Sequence, residues 1–398
     1  MRRLGLMSSI VFALVVACGG ADTTLNDDGG NDSGNPPNDS GNPPTDGGGD
    51  VTQQASCDGG LTACGAACVD TSSDNQNCGG CGIVCNTTCT AGVCPLIASG
   101  CDAGVATQVG DNACLTVDAT NVYWGTGFNN TGSVWSVPLA GGCPKMLVGQ
   151  QSAPHGMASD GTNLFYANQG VFQQNNGSIV RIPVGGGSAT PIATNQAFPL
   201  DITVDATNVY WTNSADGSVW KSDKTTPNPI KLAGASGLNH ARFLRVDATN
   251  VYFTDGTSGV VNRVPIAGGS VVAMTTQVSL PGHLAIDKTN AYFASRGNTT
   301  AALMVVPLNA TAATPGQLVP SLPSLNGIET DGTSIWFAEA TNVQPYAQNS
   351  GEIHRVTTAG TNDAKLASGQ NGPDCVSVDA TSVYWIDTGG GMISKTAK

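Results

Sequence analysis

The amino-acid sequence predicts an all-β protein, a seven-bladed β-propeller preceded by a small disulfide-rich module. A phrase that reads VDATNVYW at 117–124 occurs seven times in the chain, with changes. Its aspartates lie 40–48 residues apart, at Asp118, Asp160, Asp205, Asp247, Asp287, Asp331 and Asp379. Short β-branched and aromatic runs alternate with Gly-rich turns, and a repeat of this length and content is typical of propeller blades.

Each repeat is expected to supply four strands. The first strand ends at the aspartate, as in LDITVD at 200–205, and an Ala-Thr-Asn turn leads into the second, VYWT. In that turn, Asp and Asn side chains can hydrogen-bond the local backbone. The third strand follows a glycine and ends at a proline, which cannot donate to a strand ladder. We therefore interpret the repeat aspartates, the aromatic pairs and the glycines as structural.

The register of the outer strands predicts how the ring closes. An apolar residue lies 13 positions before six of the seven aspartates: Val105, Leu147, Ile192, Met274, Leu318 and Leu366. The last repeat ends at Lys398 after its third strand, so VATQV at 105–109 can supply the missing outer strand. This closure would leave no open sheet edge. The pattern resembles YWTD-type and related propellers over 105–398, which implies the same fold.

Two cysteines are expected to lock this closure. Cys114 and Cys375 each lie four residues before a repeat aspartate, in the first and last blades. A disulfide between them requires Cα atoms within about 7 Å. Cys101 and Cys143 would then form another pair, unless Cys101 belongs to the cysteine-rich module.

The N-terminus predicts export and a membrane anchor. Residues 1–17 combine Arg2 and Arg3 with an apolar stretch too short to span a bilayer comfortably, the order of a signal peptide. The site around Cys18 resembles a bacterial lipobox, which implies a lipid on Cys18; an ordinary secretory signal with an incidental cysteine is the alternative. Gly19 stands where an inner-membrane retention signal would place Asp, so we expect the outer membrane or cell surface. Residues 18–56 carry the anchor and a disordered Gly/Asp/Asn/Pro tether.

Residues 57–100 form the cysteine-rich module. Eight cysteines lie there: Cys57, Cys64, Cys68, Cys78, Cys81, Cys85, Cys89 and Cys94. So short an exported segment needs disulfides rather than a large core, and their connectivity stays open among 105 arrangements. The pair in CGGC at 78–81 could serve zinc or redox chemistry, but no histidine or βαβ unit supports that reading. The run at 64–85 resembles the cysteine-rich repeat of stigma-specific proteins, which fixes spacing and carries no catalytic residue over.

Residues 101–398 form the propeller, and its candidate site is one rim of the central channel. Four to eight residues before each repeat aspartate, the outer strand returns to the inner one. Polar side chains concentrate there, namely His155, Asp201, Asn239, His240, Arg242, His283, Asn326 and Asp374. Convergent polar groups at a channel mouth are a ligand-site hypothesis. The alternative is that these residues merely solvate the loops.

The expected function is recognition without catalysis. The lipid anchor and the tether would hold the disulfide-rich module and the propeller away from the membrane, where they present a surface for a protein or glycan ligand. We expect a monomer with no cofactor and no metal. The acidic chain, with net charge −13, lacks the basic stripe that nucleic-acid binding needs. The alternative is a lyase or hydrolase in which His155, His283 and an aspartate hold a divalent metal or act as acid and base. Seven-bladed lyases of the virginiamycin type resemble this arrangement at the level of fold.

Overall fold

The computed structural model describes residues 57, 60–65, 67–96, 114–127, 129–234, 238–297, 300–340, 350–389 and 391–398. The expected signal peptide, Cys18, the tether, Cys101 and the segment at 105–109 lie outside the described residues. Within the described ranges, no helix has the length and apolar character needed to cross a membrane.

Seven four-stranded antiparallel sheets confirm the seven-bladed propeller. The innermost strands of blades 1 to 7 are β4 (Leu115–Val117), β8 (Pro154–Ser159), β12 (Pro199–Val204), β16 (Ala241–Val246), β20 (Pro281–Ile286), β24 (Asn326–Thr330) and β28 (Pro373–Val378). The second strands are β5 (Asn121–Thr126), β9 (Asn163–Asn168), β13 (Asn208–Asn213), β17 (Asn250–Asp255), β21 (Asn290–Arg296), β25 (Ser334–Glu339) and β29 (Ser382–Asp387). The third strands are β6 (Gly132–Pro138), β10 (Gly177–Pro183), β14 (Ser218–Asp223), β18 (Val260–Pro265), β22 (Ala301–Pro307), β26 (Gly351–Thr357) and β30 (Met392–Ala397). The outermost strands of blades 1 to 6 are β7 (Lys145–Gln151), β11 (Thr190–Gln196), β15 (Ile230–Ala233), β19 (Val272–Ala273), β23 (Gly316–Leu322) and β27 (Ala364–Gln370).

The inner strands form a closed ring, because each contacts the inner strand of the next blade and β28 contacts β4. A two-stranded ladder, β1 (Thr62–Cys64) with β2 (Ala67–Val69), belongs to the cysteine-rich region. A 3-10 turn spans Asn129–Thr131. The aromatic pairs of the second strands are buried between blades; Tyr123, Trp124, Tyr210 and Trp211 are all 0% exposed.

The turn after each first strand forms as expected. In blade 3, the Asp205 carboxylate accepts backbone N–H bonds from Thr207 and Asn208 at 2.7 and 2.6 Å. Its other oxygen accepts the Tyr210 hydroxyl at 2.6 Å. The Asn208 side chain differs from the expectation, since it donates to the Thr207 hydroxyl rather than to the backbone.

An N-terminal strand closes the ring, but the expectation that residues 105–109 supply it is wrong. The fourth strand of blade 7 is β3 (Cys94–Pro95), which pairs with β30. Leu96 continues the ladder by donating its N–H to Ile393 O at 2.8 Å. The physical reason is burial: Cys94 and Leu96 are 0% exposed and share a core with Ile393, so this segment occupies the edge of β30.

The cysteine-rich region packs into the seam between blades 7 and 1. Its bridges join Cys57 to Cys68, Cys64 to Cys81, Cys78 to Cys89 and Cys85 to Cys94. Lys395 of β30 is 5% exposed, and its Nζ donates to Val84 O at 2.9 Å and to Leu139 O at 2.6 Å. One ammonium group therefore ties the module, blade 7 and blade 1 together.

The expected disulfide between the first and last blades is present. Cys114 and Cys375 are bonded across 261 residues of sequence, with Cα atoms 5.3 Å apart. Cys143 is also disulfide-bonded.

Candidate functional site

A cavity of about 340 Å³ lies at the mouth of the central channel, where the inner strands begin. Five of the eight sequence-predicted rim residues line it: His155, His240, Arg242, His283 and Asp374. They come from blades 2, 4, 5 and 7, so distant parts of the sequence meet here because the ring closes. We call this cavity the mouth.

A second cavity, of about 250 Å³, lies farther along the channel, toward the carboxyl ends of the inner strands, and includes Asp201, Arg245 and Glu329; we call it the deeper cavity. Four residues line both cavities and so lie where the two meet, a region that we call the waist: Cys114, Phe243, His283 and Cys375. The Phe243 and His283 rings meet edge to face, with centroids 3.9 Å apart. The disulfide that closes the ring is thus also part of the floor of the mouth.

Glycine allows the inner strands to approach closely around this channel. A Cβ atom at Gly156 would lie 2.6 Å from Leu200 O and 2.7 Å from Asp201 Cα. Any larger residue there would force blades 2 and 3 apart.

The two buried histidines of the channel are neutral near pH 7. His155 is 8% exposed, and its Nδ1 lies 2.9 Å from Leu200 O, a contact in which the ring donates. Burial lowers the pKa of His155 to about 4, with Arg242 adding to the shift. Burial also holds the pKa of His283 well below its ordinary value, and Arg296, Arg245 and Arg242 act in the same direction.

Arg242 and Arg296 form the cationic side of the mouth, and neither has a carboxylate within 4 Å among the described residues. In the described part of the chain, Arg242 Nε is buried without a hydrogen-bond partner. Arg296 donates to two neutral oxygens, Leu325 O at 3.2 Å and Asn326 Oδ1 at 3.1 Å. Burial lowers the pKa of Arg242, and the charge of Arg296 lowers it further. Burial and Arg242 together lower the pKa of His240.

The two channel aspartates are buried. Burial raises the pKa of Asp374, although a backbone bond from Cys375 at 2.7 Å and the charge of Arg296 oppose the shift. Burial likewise raises the pKa of Asp201, opposed by Arg245, whose Nη1 lies 3.5 Å from its carboxylate. Asp201 belongs to the deeper cavity and does not line the mouth.

The remaining two predicted residues line neither cavity. Asn326 acts indirectly, because its side chain accepts from Arg296 and donates to Pro373 O at 3.3 Å. Asn239 donates its backbone N–H to Asp255 at 3.2 Å.

A metal site built from His155, His283 and an aspartate has no matching donor set in the described residues. The three side chains whose donor atoms lie within 4.8 Å of one another there are Cys114, His283 and Cys375. Two of these donors are the sulfurs of the disulfide, and a metal is ligated by the thiolate form instead.

Seven residues of the mouth were not identified from the sequence: Gln169, Phe172, Phe198, Leu200, Ser214, Phe243 and Arg296. Arg296 and Phe172 are two of those whose positions differ from the expected one. Arg296 ends a second strand, and Phe172 lies in the connection between the second and third strands of blade 2. Neither position falls in the window before a repeat aspartate. The connection that contains Phe172 is longer than those of blades 3 and 4, and this extra length is the feature of the sequence that could have indicated a residue of the mouth.

No protein-family model matches the chain, and no curated protein matches it. Solved structures do match in fold. A streptogramin B lyase structure gives a TM-score of 0.57 at 14% identity, covering 76% of this chain and 96% of that one. A catalytically inactive virginiamycin B lyase from Staphylococcus aureus with quinupristin gives 0.54 at 13%, covering 73% and 97%. The computationally designed Ika8 protein gives 0.50 at 15%, covering 71% and 82%. At these identities the likeness shows the propeller fold alone.

Proposed function

We propose that the protein is an exported, lipid-anchored receptor that binds a protein or glycan ligand at the mouth without catalysing a reaction. The observation that carries this proposal is the mouth itself, a cavity of about 340 Å³ in which polar groups from four blades converge. Cavities of this size that combine apolar walls with a few placed polar groups are ordinary ligand sites. The signal-like start and Cys18 support the anchored location, and residues 19–56 would hold the propeller away from the membrane.

The protonation states favour binding over acid–base catalysis. An efficient general base has a pKa near the working pH. Burial places the pKa of His155 at about 4, and that of His283 is also well below its ordinary value. Both rings are therefore weak bases, whose main capacity near neutral pH is to form hydrogen bonds with a bound molecule.

The anchor and the site are tested separately. Metabolic labelling with a radioactive fatty acid should mark the wild-type protein and not Cys18→Ala. Binding is tested by probing glycan and peptide arrays with the mature chain beside Arg242→Gln and the control Arg355→Gln, whose side chain lines neither cavity. Retention of a ligand by wild type and control, with loss in Arg242→Gln, supports the proposal. Retention that is equal in all three variants places the binding surface elsewhere and overturns it.

A lyase is the second candidate, because three histidines and Asp374 line the same cavity. The retained ligand distinguishes the two functions. Recovery of the unchanged ligand by mass spectrometry after long incubation supports a receptor. Conversion over many turnovers that is lost in both His155→Ala and His283→Ala would establish the enzyme instead.

A further inference from the structure

Two arginines and one carboxylate line the mouth, so among the described residues its positive charge exceeds its negative charge. Arg242 and Arg296 line it together with one carboxylate, Asp374, whose burial favours the protonated form. Within the described residues, neither arginine forms an ion pair within 4 Å, and the buried Arg242 Nε has no acceptor. Two guanidinium groups that repel each other in a partly buried site are costly unless an anion joins them.

The deeper cavity provides an internal comparison. Its arginine, Arg245, lies 3.5 Å from Asp201 and 3.4 Å from Glu329. That cation is already paired, so the deeper cavity needs no external anion. The mouth lacks this arrangement although the whole chain has a net charge of −13. A local cationic site in an acidic protein focuses anions toward itself.

The wall beside the arginines is aromatic. Phe172, Phe198 and Phe243 all line the mouth. Phe172 is 52% exposed and meets Phe198 edge to face, with ring centroids 5.3 Å apart. An exposed phenylalanine held against a second ring offers a flat apolar surface to a partner. The arginines and this wall therefore match two parts of one ligand.

We propose that the mouth binds a carboxylate that carries an adjoining aromatic group, with the carboxylate on Arg242 and Arg296 and the ring against Phe172 and Phe198. This inference rests on the proposed function and specifies its ligand chemistry. The planar guanidinium of Arg242 suits a carboxylate because its donors are arranged as a fork, and the mouth is the cavity that this side chain lines. The same chemistry is present in a free aromatic acid and in a polypeptide that ends in an aromatic residue.

Isothermal titration of the mature chain with four probes tests the proposal. The probes are N-acetyltryptophan, N-acetyltryptophanamide, glucuronate and inorganic phosphate. The acid and the amide share the ring and differ in charge, whereas the other two are anions without an aromatic group. We expect N-acetyltryptophan to bind at least tenfold more tightly than each of the others. Tetrapeptides that end in tryptophan, with a free or amidated C-terminus, then distinguish a chain end from a free small molecule.

Variants identify the residues responsible. Arg242→Gln should weaken binding of N-acetyltryptophan by roughly 10- to 100-fold, the effect of losing a charged hydrogen bond. Arg242→Lys should restore only part of the affinity, because it keeps the charge and loses the fork. Arg355→Gln is the control of matched type and should bind as wild type does, and circular dichroism checks that each variant folds.

Three outcomes would overturn the inference. These are equal affinity for the acid and the amide, glucuronate or phosphate binding as tightly as N-acetyltryptophan, and no binding of any probe at millimolar concentration. None of these outcomes contradicts the proposed function, which is tested by whether Arg242→Gln abolishes binding of an array ligand. Conversely, an array ligand that is insensitive to Arg242→Gln would remove the proposed function even if N-acetyltryptophan bound.

Discussion

Two of the seven repeat aspartates have a lysine ammonium where the other five have a tyrosine hydroxyl. In five blades, a tyrosine five residues after the aspartate donates to the carboxylate at 2.6–2.7 Å. In blade 2 that position is Phe165, and Lys224 Nζ lies 2.9 Å from Asp160. In blade 6 it is Trp336, and Lys398 Nζ lies 3.2 Å from Asp331. Each lysine also lies near the aromatic ring, at 5.8 and 4.4 Å from its centroid.

We predict that Lys224→Met lowers the free energy of unfolding and that adding Phe165→Tyr recovers part of the loss. The Lys224 and Asp160 side chains are 10% and 18% exposed, and Lys224 Nζ also donates to Asp205 O at 3.0 Å. A charged hydrogen bond contributes about 1.5–3 kcal/mol, and breaking a fully buried pair costs more. We therefore expect a loss of about 2–3 kcal/mol. A tyrosine hydroxyl at position 165 should return about 1 kcal/mol.

The assay is a double-mutant cycle by urea unfolding, followed by tryptophan fluorescence. The four proteins are wild type, Lys224→Met, Phe165→Tyr and the double variant, with the exposed Lys288→Met as control. Burial opposes ionisation of Asp160, but the bonds from Lys224 and from the turn N–H groups outweigh it and lower the pKa. The cost of Lys224→Met should therefore diminish as the pH falls through that lowered pKa. Additive effects, within about 0.5 kcal/mol, would refute the idea that the two donors replace each other.

Three further predictions concern the seam and its neighbourhood. Burial raises the pKa of Asp387 from 3.8 to about 7, so the free energy of unfolding of the wild type should fall as the pH rises between these values. Asp387→Asn should remove this pH dependence and raise the free energy of unfolding by up to about 4 kcal/mol at pH 8. An equal gain at pH 4 would contradict this explanation. Cys114→Ala with Cys375→Ala opens a loop of 261 residues and should cost about 2–5 kcal/mol in urea unfolding, whereas an unchanged midpoint would show that the bridge does not constrain the ring. Lys395→Met leaves two carbonyls without their donor and should cost about 2 kcal/mol, with faster proteolysis of the cysteine-rich region; a loss no larger than that of Lys288→Met would exclude the joining role.

The blades could be predicted from the sequence because their information is local. In blade 3 the expected first strand at 200–205 is β12, Pro199–Val204, and the expected turn aspartate, Asp205, follows directly. A buried second strand, a fixed turn and a glycine near the start of the third strand recur from blade to blade, so each copy supports the others. The disulfide between Cys114 and Cys375 was predictable for the same reason, since equivalent positions in neighbouring blades are close in space.

The closing strand could not be identified in this way. The register of the outer strands is a property of the repeats, whereas β3 belongs to the cysteine-rich region. Which of its residues reach β30 depends on the bridge from Cys85 to Cys94 and on the burial of Leu96, and sequence alone leaves the connectivity of eight cysteines open.

The candidate site was predicted in part. A shared register placed His155, His240, Arg242, His283 and Asp374 at one end of the ring, and the structure brings them to one cavity. The same register included Asp201, whose side chain instead faces Arg245 in the deeper cavity. Position along a strand indicates the end of the channel but not the depth at which a side chain lies.

One disulfide contributes both to ring closure and to the organisation of the mouth. The disulfide between Cys114 and Cys375 joins blades 1 and 7 and also forms part of the waist beneath the mouth. Arg242 and Arg296 lie on blades 4 and 5, on the far side of the ring. Their distance from the opposite wall is therefore set by the whole circuit of inner strands. The disulfide and the strand pairing at the seam keep that distance fixed. The site therefore needs less ordering when a ligand binds, and the free-energy cost of binding is lower.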